Sequence, residues 1–309
     1  MTVVTVTPNP ALDITYTVDE LHPGQTHRVR TTASRPGGKG LNVARVLDAL
    51  GVSVAVTGIA GGAEGAALRE RAGAHGLRDT FITAELDTRR TVTVVDDATG
   101  TATSFNEPGP AVDASTWRLL HDRVVTLCAD ADVVTVSGSL PPGVPAAALA
   151  SLVEAVSGAG VPIVVDTSGP ALLAAARARP SALKPNADEL REATGIEDLH
   201  RAATWLRRES GAAVVVSLGA AGLLAVTGDG TWTARLPSPV TGNATGAGDS
   251  VVAALARGMQ AGWRWPDTLR QACALSAATV RSPVAGEFDA ASWRALAPTI
   301  DVEEIEVVE

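Results

Sequence analysis

Strand-like and helical segments alternate along most of the chain. Short apolar, β-branched runs such as Thr2–Thr7 precede stretches in which apolar residues recur every three to four positions, as in Gly40–Leu50. The same patterns predict further strands over Val52–Thr57, Asp132–Ser137, Val161–Asp166 and Ala213–Ser217. They predict helices over Glu64–His75, Ala114–Cys128, Ala146–Ser157, Pro170–Ala178, Ala187–Thr194, Leu199–Glu209, Val251–Ala261 and Asp267–Arg281. This alternation predicts an α/β fold whose mostly parallel sheet is covered by helices on both faces.

Two stretches depart from this alternation. Leu12–Ala33 and Thr88–Phe105 are rich in Thr, Val and Arg, contain turn residues, and alternate with a period of two. We expect two antiparallel hairpins that pair into one small sheet, a lid formed by about 12–35 and 88–107. A pair of surface hairpins with a packing or dimer role is the alternative, and an exposed sheet edge leaves open a homodimer through the lid. No linker divides the chain, so 1–309 is predicted to be a single domain.

Composition narrows the classes of partner. The 309 residues are 46% hydrophobic but only 3% aromatic, so the core must consist of Ala, Val and Leu. A formal net charge of −9 argues against a nucleic-acid partner, because no basic face is available. Cys128 and Cys273 lie far apart in apolar helical runs, typical of two reduced core thiols. The chain begins with a strand rather than a leader, and no run reaches the ~18 apolar residues of a membrane span. We therefore expect a cytoplasmic protein without a membrane partner.

Lysine usage points to two loops. The chain has 25 Lys and Arg residues, of which only Lys39 and Lys184 are lysines. Where arginine has replaced lysine almost everywhere, the two remaining lysines are expected where a compact ammonium is needed. Both lie in loops marked by Gly or Pro, Gly37–Gly40 and Lys184–Asn186, although chance survival is the alternative.

The segment Thr245–Ser250 carries the most specific chemistry. Its small residues lead directly into an apolar helical run, so its backbone N–H groups are expected at a helix N-terminus, where they can hold an anion. A carboxylate in that turn should repel the anion. Asp249 is therefore interpreted as a base that takes a proton from a hydroxyl attacking a phosphate. The alternative is an acidic residue that merely stabilises a helix N-terminus.

Other polar loops could supply the substrate side. In Gly37–Asn42 the glycines admit a ligand, Lys39 supplies a charge, and Asn42 can bond a hydroxyl. Asn9 and Asp13 follow the first strand, and a guanidinium of Arg89-Arg90 could clamp a phosphate. An ordinary helix entry and solvated arginines are the alternatives.

Two loops of the C-terminal half could face a nucleotide. Asn186 and Glu189 have the spacing of a capping box, and could alternatively hold a hydrated Mg²⁺. Ser217–Gly222 ends a strand in a Gly turn that could let a nucleotide approach, or is a simple hairpin turn. Neither a G-x-x-x-x-G-K-[ST] loop nor a G-x-G-x-x-G after a strand occurs in the sequence, so a nucleotide would have to bind through a different loop.

Taken together, these motifs resemble those of the PfkB (ribokinase-like) carbohydrate kinases, and within them the 1-phosphofructokinase and tagatose-6-phosphate kinase type. The resemblance runs nearly end to end and in family order, through Thr7–Asp13, Gly37–Ala44, Ser137–Gly143, Lys184–Asn186 with Glu189, Ser217–Gly219 and Thr245–Asp249. It implies a ribokinase-like three-layer α/β/α fold with a small β-sheet lid, a sugar phosphate under that lid, and ATP·Mg²⁺ along the C-terminal half.

The resemblance also implies roles for individual residues. Asp249 would be the catalytic base, with an anion hole formed by Gly246, Ala247 and Gly248. The sugar phosphate would contact Asp13, Gly37, Gly38, Lys39, Asn42, Arg89 and Ser139. The nucleotide would lie against Lys184, Asn186, Ser217, Gly219, Gly222 and Thr245, with Mg²⁺ held through water by Asn186 and Glu189. Arg90 follows Arg89 where relatives often carry an uncharged residue, so which arginine holds the phosphate stays open.

The expected activity is therefore ATP-dependent phosphorylation of a ketohexose monophosphate, with fructose 1-phosphate converted to fructose 1,6-bisphosphate. Tagatose 6-phosphate and fructose 6-phosphate are the alternative substrates. A non-catalytic sugar-phosphate sensor on the same scaffold is the alternative from a different class, disfavoured because Asp249, Lys184, Asn186 and Glu189 are all present.

Overall fold

The structure is a computed structural model that describes residues 2–282 and 284–305; residues 1, 283 and 306–309 of the predicted 1–309 domain lie outside the described residues. The strands are β1 (Thr2–Thr7), β2 (Ala11–Val18), β3 (Thr31–Gly37), β4 (Ser53–Ala60), β5 (Arg78–Asp79), β6 (Ile82–Thr83), β7 (Arg89–Asp96), β8 (Ala102–Asn106), β9 (Val133–Ser137), β10 (Ile163–Asp166), β11 (Ala182–Leu183), β12 (Ala213–Ser217), β13 (Leu223–Val226), β14 (Thr231–Arg235) and β15 (Asp301–Glu304). The helices are α1 (Lys39–Ala49), α2 (Gly62–Ala74), α3 (Ala114–Leu127), α4 (Ala146–Gly158), α5 (Gly169–Arg177), α6 (Ala187–Thr194), α7 (Leu199–Ser210), α8 (Ala247–Ala261), α9 (Trp265–Val280) and α10 (Ala290–Leu296). Short 3₁₀ turns cover Gly219–Ala221 and Ala297–Thr299.

The central sheet is mostly parallel, as predicted. Its strand order is β15-β14-β13-β12-β11-β10-β9-β1-β4-β5, with β6 paired to β4. Strands β4, β1, β9, β10, β11 and β12 pair in parallel with one another, in this order. Beyond β12 the sheet continues through β13, β14 and β15 as an antiparallel edge, which the sequence patterns did not predict.

Two apolar layers cover the faces of this sheet. Neighbouring strand residues point to opposite faces, so that Val3 belongs to the cluster that includes Leu41 of α1 and Leu255 of α8, and Val4 belongs to the cluster that includes Leu149 of α4. Helices α1, α8 and α9 cover the first face, and α3, α4, α5 and α7 cover the second. The predicted three layers are therefore present. Cys128 and Cys273 are both buried and unpaired.

A separate four-stranded sheet, here called the small sheet, has the order β3-β2-β7-β8. β2 pairs antiparallel with β3, and β7 pairs antiparallel with β8, so each predicted hairpin forms. The two hairpins are joined by parallel pairing of β2 with β7, which aligns Ala11 with Arg89 and Asp13 with Thr91. The prediction that the two stretches combine into one sheet is confirmed.

The topology brings several polar loops to one edge of the central sheet. Parallel strands β1, β9, β10, β11 and β12 all end on the same side, and ligands bind beyond that side in open α/β sheets. An isolated bridge between Asn186 and Ser217 ties the loops after β11 and β12 together. Within residues 2–282 and 284–305, every helix is too short or too polar to cross a bilayer.

Candidate active site

The N-terminus of α8 presents free backbone N–H groups. Gly246 caps the helix with φ of +85°, in the left-handed region that favours glycine. Ala247 N–H donates to Ala244 O at 3.2 Å, and Ser250 N–H donates to Gly246 O at 3.1 Å. Between them, the N–H groups of Gly248 and Asp249 have no hydrogen bond among the described residues. Together with the helix dipole, they form a place for an anion.

Asp249 lies in that same turn and is 5% exposed. Asn42 Nδ2, from α1, donates to Asp249 Oδ2 at 2.7 Å. Burial raises the pKa of Asp249 to about 7, and the nearby charge of Asp166 contributes to the rise. The hydrogen bond from Asn42 and the ammonium groups of Lys39 and Lys184 act in the opposite direction. A carboxyl that titrates near neutral pH beside free amides is suited to accept a proton from a hydroxyl.

Both lysines converge on Asp166 at the end of β10. Lys184 Nζ lies 3.4 Å and Lys39 Nζ 3.5 Å from the same oxygen, Asp166 Oδ1. Burial lowers the pKa of Lys39, but Asp166, Asp249 and Glu189 more than offset this and raise it above its ordinary value. Sequence reasoning identified both lysines but not Asp166, whose position at the end of a predicted strand was the available signal.

The capping box predicted from Asn186 and Glu189 is present. Asn186 Oδ1 accepts from Glu189 N–H, and Glu189 Oε2 accepts from Asn186 N–H, both at 2.8 Å. Glu189 Oε1 faces Lys39 Nζ at 3.9 Å. Asn186 and Glu189 therefore form the capping box that the sequence predicted, and Glu189 Oε1 takes no part in it.

The residues around Asp166 and Glu189 fit a hydrated Mg²⁺ rather than a metal held by protein ligands alone. Asp166 is fully buried, and neither of its carboxylate oxygens has a hydrogen-bond partner in the described chain. No group of three or more His, Cys, Asp or Glu that could hold a metal occurs among those same residues. Mg²⁺ usually takes one or two carboxylates, several waters and phosphate oxygens, so Asp166 and Glu189 suffice in number.

The small sheet supplies the opposite wall. Arg89 at the start of β7 donates to Asn9 O from Nε and Nη2, both at 3.2 Å, and to Glu107 O from Nη1 at 3.0 Å. Asn9 Nδ2 in turn lies 3.4 Å from Ser139 Oγ. Arg89 faces the cavity described next, whereas Arg90 lies beside Glu64 and Glu107 at 3.9 and 3.7 Å. Alternation along the strand thus directs the two arginines to different sides.

Asp13 on β2 also faces the cavity. Burial raises the pKa of Asp13, against the opposing effects of Arg45, a hydrogen bond with Thr91, and Arg89. Gly37 pairs with Ala11 across the small sheet, and any side chain on it would overlap the Asp13 carboxylate. Gly37 therefore makes room for the carboxylate of Asp13, which lines the cavity.

A cavity of about 670 Å³ between the two sheets gathers most of the predicted site residues. The predicted residues that line it are Asp13, Gly38, Lys39, Asn42, Arg89, Ser139, Lys184, Asn186, Ser217, Thr245, Gly246, Gly248 and Asp249. Asn9, which the sequence placed beside Asp13 on the substrate side, also lines it; the lining residues that the sequence did not single out are Thr91, Asn106, Glu107, Pro108 and Asp166. The predicted residues outside the lining are Gly37, Ala247, Glu189, Gly219 and Gly222.

The structure explains why residue 222 is a glycine. It follows the 3₁₀ turn between β12 and β13 with φ of +93°, and a side chain there would overlap the carbonyl oxygen of Ala234 on β14. Gly219 has φ of +59° and open space around its Cα. Both shape the turn after Ser217, and a nucleotide role for them stays a prediction.

Comparisons with known proteins agree with this architecture. The model of the pfkB family carbohydrate kinases matches residues 7–291. The 1-phosphofructokinase of Haemophilus influenzae is 34% identical over 294 residues, covering 93% of each chain. The structure of Escherichia coli phosphofructokinase-2 in complex with fructose-6-phosphate superposes with a TM-score of 0.88 at 29% identity, covering 96% of this chain and 98% of that one. Arabidopsis thaliana ribokinase complexed with ribose and ATP shares the fold, with a TM-score of 0.74 at 22% identity over 96% of this chain and 98% of that one.

These comparisons confirm the ribokinase-like fold and the family that the motifs predicted. The chain belongs to the pfkB family of carbohydrate kinases, phosphotransferases that act on a sugar hydroxyl.

Proposed function

We propose that this kinase transfers the γ-phosphoryl group of ATP to fructose 1-phosphate, giving fructose 1,6-bisphosphate. The observation that carries the chemistry is the position of Asp249, buried beside the free N–H groups that begin α8. The observation that favours the substrate is the relative with 34% identity, a 1-phosphofructokinase.

In this mechanism Asp249 accepts the proton of the sugar hydroxyl as that oxygen attacks the γ-phosphorus, while the bond from the γ-phosphorus to the bridging oxygen breaks and ADP leaves. The N–H groups of Gly248 and Asp249 stabilise the charge that develops on the transferring phosphoryl group. Of the predicted anion hole, Gly246 supplies the turn, whereas Ala247 N–H already donates to Ala244 O. A general base contributes roughly 10²- to 10⁴-fold to the rate, and positioning supplies much of the rest.

Lys184 is the cation best placed for the nucleotide phosphates. Its ammonium is so close to Gly248 that a side chain at that position would lie 3.3 Å from Nζ. Ser217 and Thr245 line the same cavity as Lys184 and would contact the nucleotide. Glu189, oriented by Asn186, would hold Mg²⁺ through water, and Asp166 would face it. When bound, Mg²⁺ would neutralise negative charge on the phosphates.

On the sugar side, Asp13 and Asn42 would hold hydroxyl groups, and Arg89 would hold the substrate phosphate. Arg89 is preferred to Arg90 because it lines the cavity, while Arg90 pairs with Glu64 and Glu107. We expect Arg89→Met to raise KM for the sugar phosphate by about 10- to 100-fold, as removal of a charged hydrogen-bonding partner does. Arg90→Met is the matched control and should change KM less than about threefold. A larger increase of KM in Arg90→Met than in Arg89→Met would instead assign the substrate phosphate to Arg90.

Fructose 6-phosphate and tagatose 6-phosphate are the second candidates, because a structural neighbour was solved with fructose 6-phosphate. The deciding experiment compares kcat/KM for fructose 1-phosphate and these two sugars at saturating ATP. The proposal requires fructose 1-phosphate to be preferred. A preference for a 6-phosphate, or for an unphosphorylated sugar, would contradict it.

A homodimer through the small sheet is also proposed. Every residue of its edge strand β8 is exposed, and Phe105 on that strand is 60% exposed. An exposed edge strand with an aromatic side chain favours pairing with a second copy. Phe105→Glu should then yield monomers in sedimentation experiments, and unchanged sedimentation of this variant would exclude this surface. The cytoplasmic location stays a prediction.

A further inference from the structure

Arg45, which the sequence did not distinguish from other helical arginines, contacts three separate parts of the molecule. On α1, its Nη2 donates to Asn42 Oδ1 at 2.6 Å and to Ala285 O, in the segment after α9, at 2.8 Å. Its Nη1 donates to Pro36 O, at the end of β3, at 2.9 Å. The guanidinium therefore lies between the small sheet, α1 and the segment that follows α9.

The contact with Asn42 has a directional consequence. Asn42 and Arg45 are three positions apart, so they share a face of α1. An asparagine amide carries an acceptor at one end and a donor at the other, whereas a guanidinium carries donors only. Arg45 can therefore donate only to the Oδ1 end of Asn42, which leaves Nδ2 directed at Asp249 Oδ2, 2.7 Å away.

We propose that Arg45 is a positioning residue that fixes the orientation of the Asn42 amide and so directs its N–H at the carboxylate of Asp249. This inference rests on the proposed role of Asp249 as the base. Without Arg45, the amide is free to rotate and to place Oδ1 against the carboxylate, which repels it. The base then loses both its orientation and a hydrogen bond to its charged form.

The simplest alternative is that Arg45 only ties chain segments together. The segment it holds does touch the site: a side chain on Gly246 would lie 3.0 Å from Gly286 N. If Arg45 were only a structural tie, replacing it would lower stability, and it would lower activity by the same factor whether or not the Asn42 amide is present. A positioning role acts through Asn42, so its effect must vanish when the Asn42 amide is absent.

The test is a double-mutant cycle. Arg45→Gln keeps a polar side chain but adds an acceptor, so it no longer selects one end of the amide. We expect kcat to fall by about 10- to 100-fold, from loss of a hydrogen bond to a charged group. We also expect the acid limb of the kcat/KM profile to move to higher pH, with KM for ATP changed less than threefold. In an Asn42→Ala background, the same change should lower kcat by less than about threefold.

Multiplicative losses in the double variant, or an unmoved acid limb, would overturn the proposal. Arg45→Lys keeps a donor-only group and should retain kcat within about threefold. If Arg45→Gln does not fold, Arg45→Lys still tests the proposal, because a tenfold loss of kcat in a folded Arg45→Lys protein would overturn it. The matched control is Arg207→Met, since Arg207 also donates to backbone carbonyls, those of Gly211 and Ala212, at the opposite end of the strands. Asp249→Asn separates the two proposals: activity in that variant refutes both, whereas an inactive Asp249→Asn with normal Arg45→Gln refutes only this one.

Discussion

Lys184 and Lys39 form a matched pair for measuring the contribution of a buried charge to stability. Their ammonium groups lie 3.4 and 3.5 Å from the same oxygen of Asp166, but the Lys184 side chain is 4% exposed and that of Lys39 is 42% exposed. Removing one partner of a buried pair costs about 3–5 kcal/mol, whereas exposed pairs contribute about 0.2–1 kcal/mol. Because Lys39 remains beside Asp166 in Lys184→Met, we expect a loss of about 2–3 kcal/mol there and less than about 1 kcal/mol in Lys39→Met.

Urea unfolding without substrates measures these losses independently of catalysis. An unfolding entropy of about 2.1 cal/mol/K per residue converts the Lys184→Met loss into a Tm decrease of about 3–5 °C. The control is Lys184→Met combined with Asp166→Asn, which removes the buried charge that Lys184 no longer compensates and should recover most of the stability. Equal losses for the two lysine variants, or a larger loss for Lys39→Met, would refute the reasoning that burial decides the magnitude.

Two further predictions concern the base and the turn after β12. With the pKa of Asp249 raised to about 7, chiefly by burial, kcat/KM should fall about tenfold per pH unit below that pH, because only the ionised carboxyl accepts a proton. Asn42→Ala should move this limb to higher pH, since the Asn42 hydrogen bond lowers that pKa; a limb that stays in place would assign the titration to the substrate. Gly222→Ala should cost more than about 2 kcal/mol in urea unfolding, against about 1 kcal/mol for Gly219→Ala, because both have positive φ but only Gly222 faces backbone. Similar costs at the two positions would remove the structural explanation of Gly222.

Elements with local end signals could be predicted from the sequence to within a residue. Helix α6 spans Ala187–Thr194 as predicted, because the capping box begins it and Gly195, with φ of +68°, ends it. Strand β12 spans Ala213–Ser217 as predicted, following the left-handed Gly211. In both cases neighbouring residues in the chain determine the boundary.

The antiparallel edge of the central sheet could not be predicted in this way. Leu223–Val226 is a four-residue apolar run without alternation, and Asp301–Glu304 is mostly acidic. Their strand conformation comes from pairing with β12 and β14 rather than from local preference.

The site was predictable where a motif carries it and unpredictable where contacts are distant. Glycine-rich loops and the two lysines were visible in the sequence, and most of them line the cavity. Asp166 resembles any polar residue at a strand end, and its importance comes from two ammonium groups brought from other loops. Arg45 looks like a surface arginine on a helix, because its partner Ala285 is 240 residues away in the chain.

The most direct test of the account is turnover by Asp249→Asn. The amide has the shape of the carboxyl but cannot accept the hydroxyl proton, so the variant should keep its Tm within about 2 °C and bind ATP in calorimetry. Its kcat should fall by about 10²- to 10⁴-fold, the usual contribution of a general base. A folded, ATP-binding Asp249→Asn protein with kcat within tenfold of the wild type would contradict the central claim.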